Sequence, residues 1–250
     1  MPVSSPYFAG QLPRILAHRG LALRVPENTL AAFAAAVDAG ADYVETDAHA
    51  TADGVPVLAH DPVVIDRGRP VEIATTTWEQ LASVDLGAGH RVPRLDEALA
   101  ALGAVRLNID VKAAGAAAPV ARAIEEVGAL DRVLVTSFDG ATRRRVVAAL
   151  PGVATSASSD LIARALVPAH LARSGRLRTV LAGVPCVQVP EHHRGIPIVT
   201  RRTVRAFHEA GVEVHVWTVN NPAEMVRLSA LGVDGIVTDR CDLALEAVRP

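Results

Sequence analysis

The chain has 250 residues, half of them hydrophobic, enough for one large domain or two small ones with a sizeable core. A net charge of −2 gives no field that would recruit nucleic acid or an anionic membrane, and no apolar run reaches the length of a membrane span. Cys186 and Cys241 stand far apart without a CxxC pair, which excludes a disulfide framework and leaves two small buried thiols suited to a reducing compartment.

Residues 1–10 lack the basic and apolar regions of a secretory leader, so the cytoplasm is the expected location. Short apolar runs then alternate with Ala/Leu/Val stretches of helical period. Residues 15–18 read as the first strand. A helix over 28–39 follows, capped by Asn28 and ended by Gly40. The second strand covers 43–48, and the next firm helix is 95–102. Strand 106–111, helix 116–127, strand 133–138, helix 140–150 and a short strand near 153–156 come next. A helical region near 159–173 precedes strand 186–189 and helix 201–210. Strand 213–219, helix 222–231, strand 235–238 and helix 242–248 complete the series. Pro222 suits a first helical turn, and Gly211 and Gly232 suit helix stops.

Eight strands, each followed by a helix, imply parallel pairing and a closed (β/α)8 TIM barrel in one domain over 1–250. An open doubly wound sheet is the alternative, but no glycine-rich nucleotide loop follows the first strand. The second unit is irregular. Residues 49–94 are far too long for a βα loop and read as a small inserted lobe at the C-terminal rim. Within it, 55–59 follows strand two too closely for a parallel crossover and predicts a hairpin.

Polar residues crowd the strand ends, where a barrel builds its active site. His18 and Arg19 close strand one. Glu45 and Asp47 are two residues apart on strand two, so they share one face; Asp110 and Lys112 repeat that spacing on strand three. Three acids in one barrel mouth need a counter-charge, either a hard divalent cation or salt bridges to barrel arginines. His18 and His60, at strand ends near the acids, suit an acid/base pair. Arg19 and Lys112 suit a phosphate clamp. Lys112 is the sole lysine among 25 basic residues, in a composition that otherwise uses arginine, so a compact ammonium is the expected requirement there.

These pieces resemble the glycerophosphodiester phosphodiesterase family, related to the phosphatidylinositol-specific phospholipase C-like barrels. The resemblance rests on Ala17-His18-Arg19-Gly20, Pro26-Glu27-Asn28-Thr29-Leu30, Val44-Glu45-Thr46-Asp47, His60-Asp61 and Asn108-Ile109-Asp110-Val111-Lys112. Val216-Trp217-Thr218-Val219-Asn220 and Gly232 through Asp239 extend it to nearly the whole chain. It implies hydrolysis of a small-molecule glycerophosphodiester to glycerol 3-phosphate and an alcohol. His18 and His60 match its acid and base, without saying which is which. Glu45 and Asp47 match ligands of one divalent ion, Ca²⁺ or Mg²⁺ with Mn²⁺ also open. Asp110 stands where much of the family has Glu, leaving that ligand about one methylene shorter. Arg19 and Lys112 match phosphate contacts, Trp217 a wall for the glycerol or head group, or a core tryptophan; Gln188 and Glu191 match pocket residues more weakly. A cyclic phosphate formed by the glycerol 2-hydroxyl is the implied intermediate. A lysophospholipase D-like activity, or a catalytically inactive phosphodiester-binding protein, are the alternatives.

Overall fold

The computed structural model describes residues 5–249. Eight parallel strands carry the fold: β1 (Arg14–His18), β2 (Tyr43–Ala50), β6 (Arg106–Val111), β7 (Val133–Thr136), β8 (Ala154–Thr155), β9 (Cys186–Val189), β12 (Glu213–Val216) and β13 (Gly235–Thr238). They pair in the order β8-β7-β6-β2-β1-β13-β12-β9. A parallel bridge from Ser156 to Cys186 brings β8 back to β9 and closes the barrel.

The period of two along each strand divides the core. On β6, Leu107, Ile109 and Val111 face the helices, while Asn108 and Asp110 alternate with them on the other face. Inside the barrel, Leu16, Tyr43, Leu134 and Ala154 form an apolar floor with Tyr7 from a short 3₁₀ turn (Pro6–Ala9). Tyr43 Oη donates to the Tyr7 carbonyl at 2.7 Å, and Arg14 pairs with Glu213 at 2.7 Å, so the N-terminal segment seals that end. The pocket is left at the other end.

Outside lie α1 (Leu30–Asp38), α3 (Leu95–Ala101), α4 (Ala117–Val127), α5 (Gly140–Ala149), α6 (Ser159–His170), α7 (Ser174–Val180), α8 (Arg201–Glu209), α9 (Pro222–Leu231) and α10 (Cys241–Val248). Between β2 and α3 sits the inserted lobe. Its strand β3 (Pro56–Leu58) pairs antiparallel with β2, as the short connection requires. A hairpin of β4 (Val63–Asp66) and β5 (Arg69–Glu72) and the single-turn helix α2 (Trp78–Leu81) complete it around Val57, Val64, Ile73, Leu81, Val84 and Val92.

Several expected boundaries change. Thr29, not Asn28, caps α1, its side chain accepting from the Ala32 N–H. Asn28 instead adopts φ 54° and turns its amide inward. The run expected over 133–138 ends at Thr136, and that over 213–219 ends at Val216, although Trp217 and Val219 still donate backbone N–H groups to Val189 and Val237 on the neighbouring strands. The segment 159–173 is one helix to His170 and then gives way to α7, which the sequence did not announce: only Leu177 of α7 is buried. His192–His193 pairs with Ile196–Pro197 in a small exposed hairpin, β10 and β11, rather than a plain loop.

Candidate active site

A cavity of about 200 Å³ opens at the C-terminal ends of the strands. His18, Arg19, Glu45, Asp47, His60, Asp110, Lys112, Gln188 and Trp217 all line it, so every residue singled out in the sequence reaches one pocket except Glu191. Glu191 turns instead to Arg227, at 2.7 Å.

Strand register explains the convergence. His18 lies beside Glu45, and Asp47 lies beside Asp110. Past β1 the chain must turn sharply, and Arg19 and Gly20 both take positive φ. Gly20 is required there, since a Cβ would come within 2.6 Å of the Ala32 backbone. The turn sets Arg19 against both Glu27, at 2.7 Å, and Asp47, at 3.1 Å.

Three carboxylates are buried side by side. Burial, and then the charges of Asp47 and Asp110, push the Glu45 carboxyl well above its usual range. Burial likewise raises Asp110, against the opposing pull of Lys112. Lys112 Nζ bridges Asp47 at 2.7 Å and Asp110 at 2.8 Å. Burial lowers the Lys112 ammonium, but these two acids outweigh it and raise it overall. Asn28 Nδ2 donates to Asp47 at 3.0 Å and Thr46 Oγ1 donates to Asn28 at 2.7 Å, which holds the Asp47 carboxylate in place.

Among the described residues, no three His, Cys, Asp or Glu side chains already form a ligand cluster. The lysine stands between two of the acids. The donor set nevertheless fits a hard cation. Asp110 Oδ1 is buried and has no partner, and three carboxylates face two cations, one of them shared with Glu27. Oxygen ligands of this kind suit Ca²⁺, Mg²⁺ or Mn²⁺.

The two histidines are built alike. His18 Nδ1 lies 2.6 Å from Asp239, and His60 Nδ1 lies 2.8 Å from Asp61. Each carboxylate fixes the proton on Nδ1 and leaves Nε2 as the free nitrogen. Asn220 Nδ2 donates to the other oxygen of Asp239 at 2.6 Å. Burial raises Asp239, yet the hydrogen bonds from His18 and Asn220 prevail and lower it. Neither Asp239 nor Asn220 was given a role from the sequence, although both close barrel strands within the matched segments. Their signal was the polar end of each strand, the same that marked His18. His49 is buried and meets the His60 carbonyl at 3.2 Å; burial lowers it, and it supports the backbone beneath His60.

Trp217 is half-buried and meets Phe138 edge to face, with centroids 5.8 Å apart. Phe138 stands 57% exposed at the rim. The mouth is therefore charged on the β1-β2-β6 side and aromatic above β7 and β12.

The sequence profile of the Glycerophosphoryl diester phosphodiesterase family matches residues 18–243. The probable glycerophosphodiester phosphodiesterase 2 of Mycobacterium tuberculosis is 39% identical, over 91% of this chain and 88% of that protein. The glycerophosphodiester phosphodiesterase of Caldanaerobacter subterraneus subsp. tengcongensis is 32% identical, over 94% and 97% respectively. The crystal structure of glycerophosphodiester phosphodiesterase from Agrobacterium tumefaciens superposes with a TM-score of 0.76 at 26% identity, covering 94% of this chain and 100% of that one.

Proposed function

This chain belongs to the glycerophosphoryl diester phosphodiesterase family and is a hydrolase of glycerophosphodiesters, and on that premise we propose that His18 and His60 exchange protons with the substrate beside one divalent metal ion. The observation that carries this is the pair of imidazoles in one pocket with Glu45, Asp47 and Asp110, each ring backed by its own carboxylate.

Glu45, Asp47 and Asp110 would hold the metal. When bound, such an ion neutralises the buried acids and supplies Lewis-acid stabilisation to a phosphoryl oxygen. Arg19 and Lys112 stand beside the same acids and bind the remaining phosphoryl oxygens, meeting the charge that builds up in the transition state. One histidine takes a proton from the attacking oxygen at Nε2, and the other gives a proton to the departing alkoxide. Asp239 and Asp61 orient the two rings and offset the positive charge each acquires. Trp217 and Phe138 form a wall against the substrate's carbon chain and exclude water from that side.

The substrate is a small glycerophosphodiester and the products are glycerol 3-phosphate and an alcohol. The glycerol 2-hydroxyl attacks phosphorus first, expelling the alcohol and closing a cyclic phosphate; water then opens the ring. The two histidines in one pocket support this order, since one can take the proton of the attacking hydroxyl while the other protonates the departing alkoxide. No helix among the described residues is long and apolar enough to cross a membrane.

The test is release of glycerol 3-phosphate from glycerophosphocholine. His18→Ala and His60→Ala should each lower kcat by about 10²-fold or more while leaving the melting profile in place. Near-normal rates in either variant would remove that histidine from the chemistry.

A further inference from the structure

The ring of side chains facing the pocket is charged over only part of its circumference. Asp47, Asp110 and Thr136 lie side by side across β2, β6 and β7. Ser156, just past β8, and Gln188, on β9, carry the ring onward. From Thr136 to Gln188 the ring holds hydroxyls and a carboxamide and no formal charge.

These three groups form a chain. Thr136 Oγ1 and Ser156 Oγ are 2.6 Å apart, and Ser156 Oγ donates to Gln188 Oε1 at 3.2 Å. Its far end is open: Gln188 Nε2 is buried and meets no partner. Asn108 Oδ1, on the inward face of β6 two residues before Asp110, is a second buried atom without a partner. Turning the Gln188 carboxamide over exchanges which of its atoms is satisfied but does not make a partner for both. Buried polar groups are ordinarily paired, so unpaired donors and acceptors lining a pocket point to a ligand that completes them. A free N–H and a free carbonyl oxygen suit an alcohol, which accepts from one and donates to the other.

We propose that Gln188 and Asn108, with Ser156 and Thr136 fixing the Gln188 carboxamide, form a subsite for the terminal hydroxyl of the glycerol arm. The chain thereby selects three-carbon over two-carbon polyol phosphates. The proposal rests on the reading that Arg19 and Lys112 hold the phosphate on the charged side. From there the polyol extends across the cavity to the neutral side, and the alcohol arm leaves past Phe138 and Trp217 at the rim.

The test is calorimetric binding of two phosphomonoesters to the metal-replete protein. sn-Glycerol 3-phosphate and 2-hydroxyethyl phosphate share the phosphate and the vicinal hydroxyl and differ by one hydroxymethyl group. The wild-type chain should bind the first about tenfold more tightly, the scale of one buried hydrogen-bonded hydroxyl. Gln188→Met should bring the two affinities within about twofold of each other and leave that of 2-hydroxyethyl phosphate unchanged. Ser156→Ala, just past β8, should reduce the ratio partway. Equal binding of both ligands by wild type would overturn the proposal without any variant. So would a parallel loss for both ligands in Gln188→Met, which would mark a scaffolding role, or an absence of binding by both. Turnover of glycerophosphocholine, measured alongside, separates the two readings: its absence strikes the catalytic reading, while the binding ratio still decides the subsite.

Discussion

Asp239→Asn isolates the charge behind His18 while keeping shape and an acceptor. The carboxylate sits 2.6 Å from His18 Nδ1 and is held on its other side by Asn220. Charge-assisted hydrogen bonds contribute about 1.5–3 kcal/mol when sheltered. The Asp239 side chain is 51% exposed, so solvent screening brings this to about 1–2 kcal/mol. At 1.36 kcal/mol per decade, that is a loss of about 5- to 30-fold in kcat/KM. The loss should fall on kcat, because Asp239 does not line the pocket and would act on the substrate only through His18. Steady-state release of glycerol 3-phosphate from glycerophosphocholine, with metal saturating, reads both constants. An unchanged kcat, or a rise in KM with kcat intact, would refute the idea that Asp239 acts through the imidazole.

Three further outcomes follow from the same geometry. Lys112→Arg keeps the charge but puts a planar fork where an ammonium lies 2.7 and 2.8 Å from two carboxylates, so kcat/KM should fall about tenfold or more; wild-type kinetics would make the sole lysine incidental. A 2-deoxy analogue of glycerophosphocholine should be cleaved about 10²-fold more slowly or worse yet still inhibit competitively, since the phosphate is unchanged; equal turnover would establish direct attack by water. At the opposite end of the barrel, Asp234 holds His208 at 2.8 Å and raises its pKa. The protonated pair stabilises the fold fully below about pH 6.5, the unfolded histidine value, and that contribution is lost as pH rises through the higher folded value. His208→Gln should remove this alkaline-side decline from a plot of denaturation midpoint against pH, and a variant with the wild-type slope would contradict the assignment.

The barrel was legible because its strands keep strict alternation. In residues 106–111, apolar side chains at 107, 109 and 111 face the helices, and the polar ones at 108 and 110 line the pocket. The hairpin in the lobe followed from the short span before residue 55. Other features depend on contacts between residues far apart in sequence. Asn28 has the composition of a cap, but Asp47 and Thr46 take its amide and Thr29 becomes the cap. α7 buries little beyond Leu177, so no apolar stripe marks it. Within the site, the like spacing of Glu45-Asp47 and Asp110-Lys112 pointed four groups to one face, and all four line the pocket. Asp239 was not assigned to His18 because 221 residues separate them, and only closure of the barrel between β1 and β13 brings them together. The open carboxamide of Gln188 likewise depends on Ser156, which reaches it through the closure of β8 on β9.

The central claim is that Glu45, Asp47 and Asp110 work as a cation site serving the two histidines. Its most direct measurement is turnover of glycerophosphocholine by protein dialysed against chelator, followed by titration with Ca²⁺, Mg²⁺ or Mn²⁺. The unpartnered oxygen of Asp110 and the excess of buried acid predict no turnover in the stripped protein and recovery on adding one of these ions. Full turnover by the stripped protein, unchanged by added metal, would contradict it and leave the three carboxylates to Lys112 and Arg19 alone.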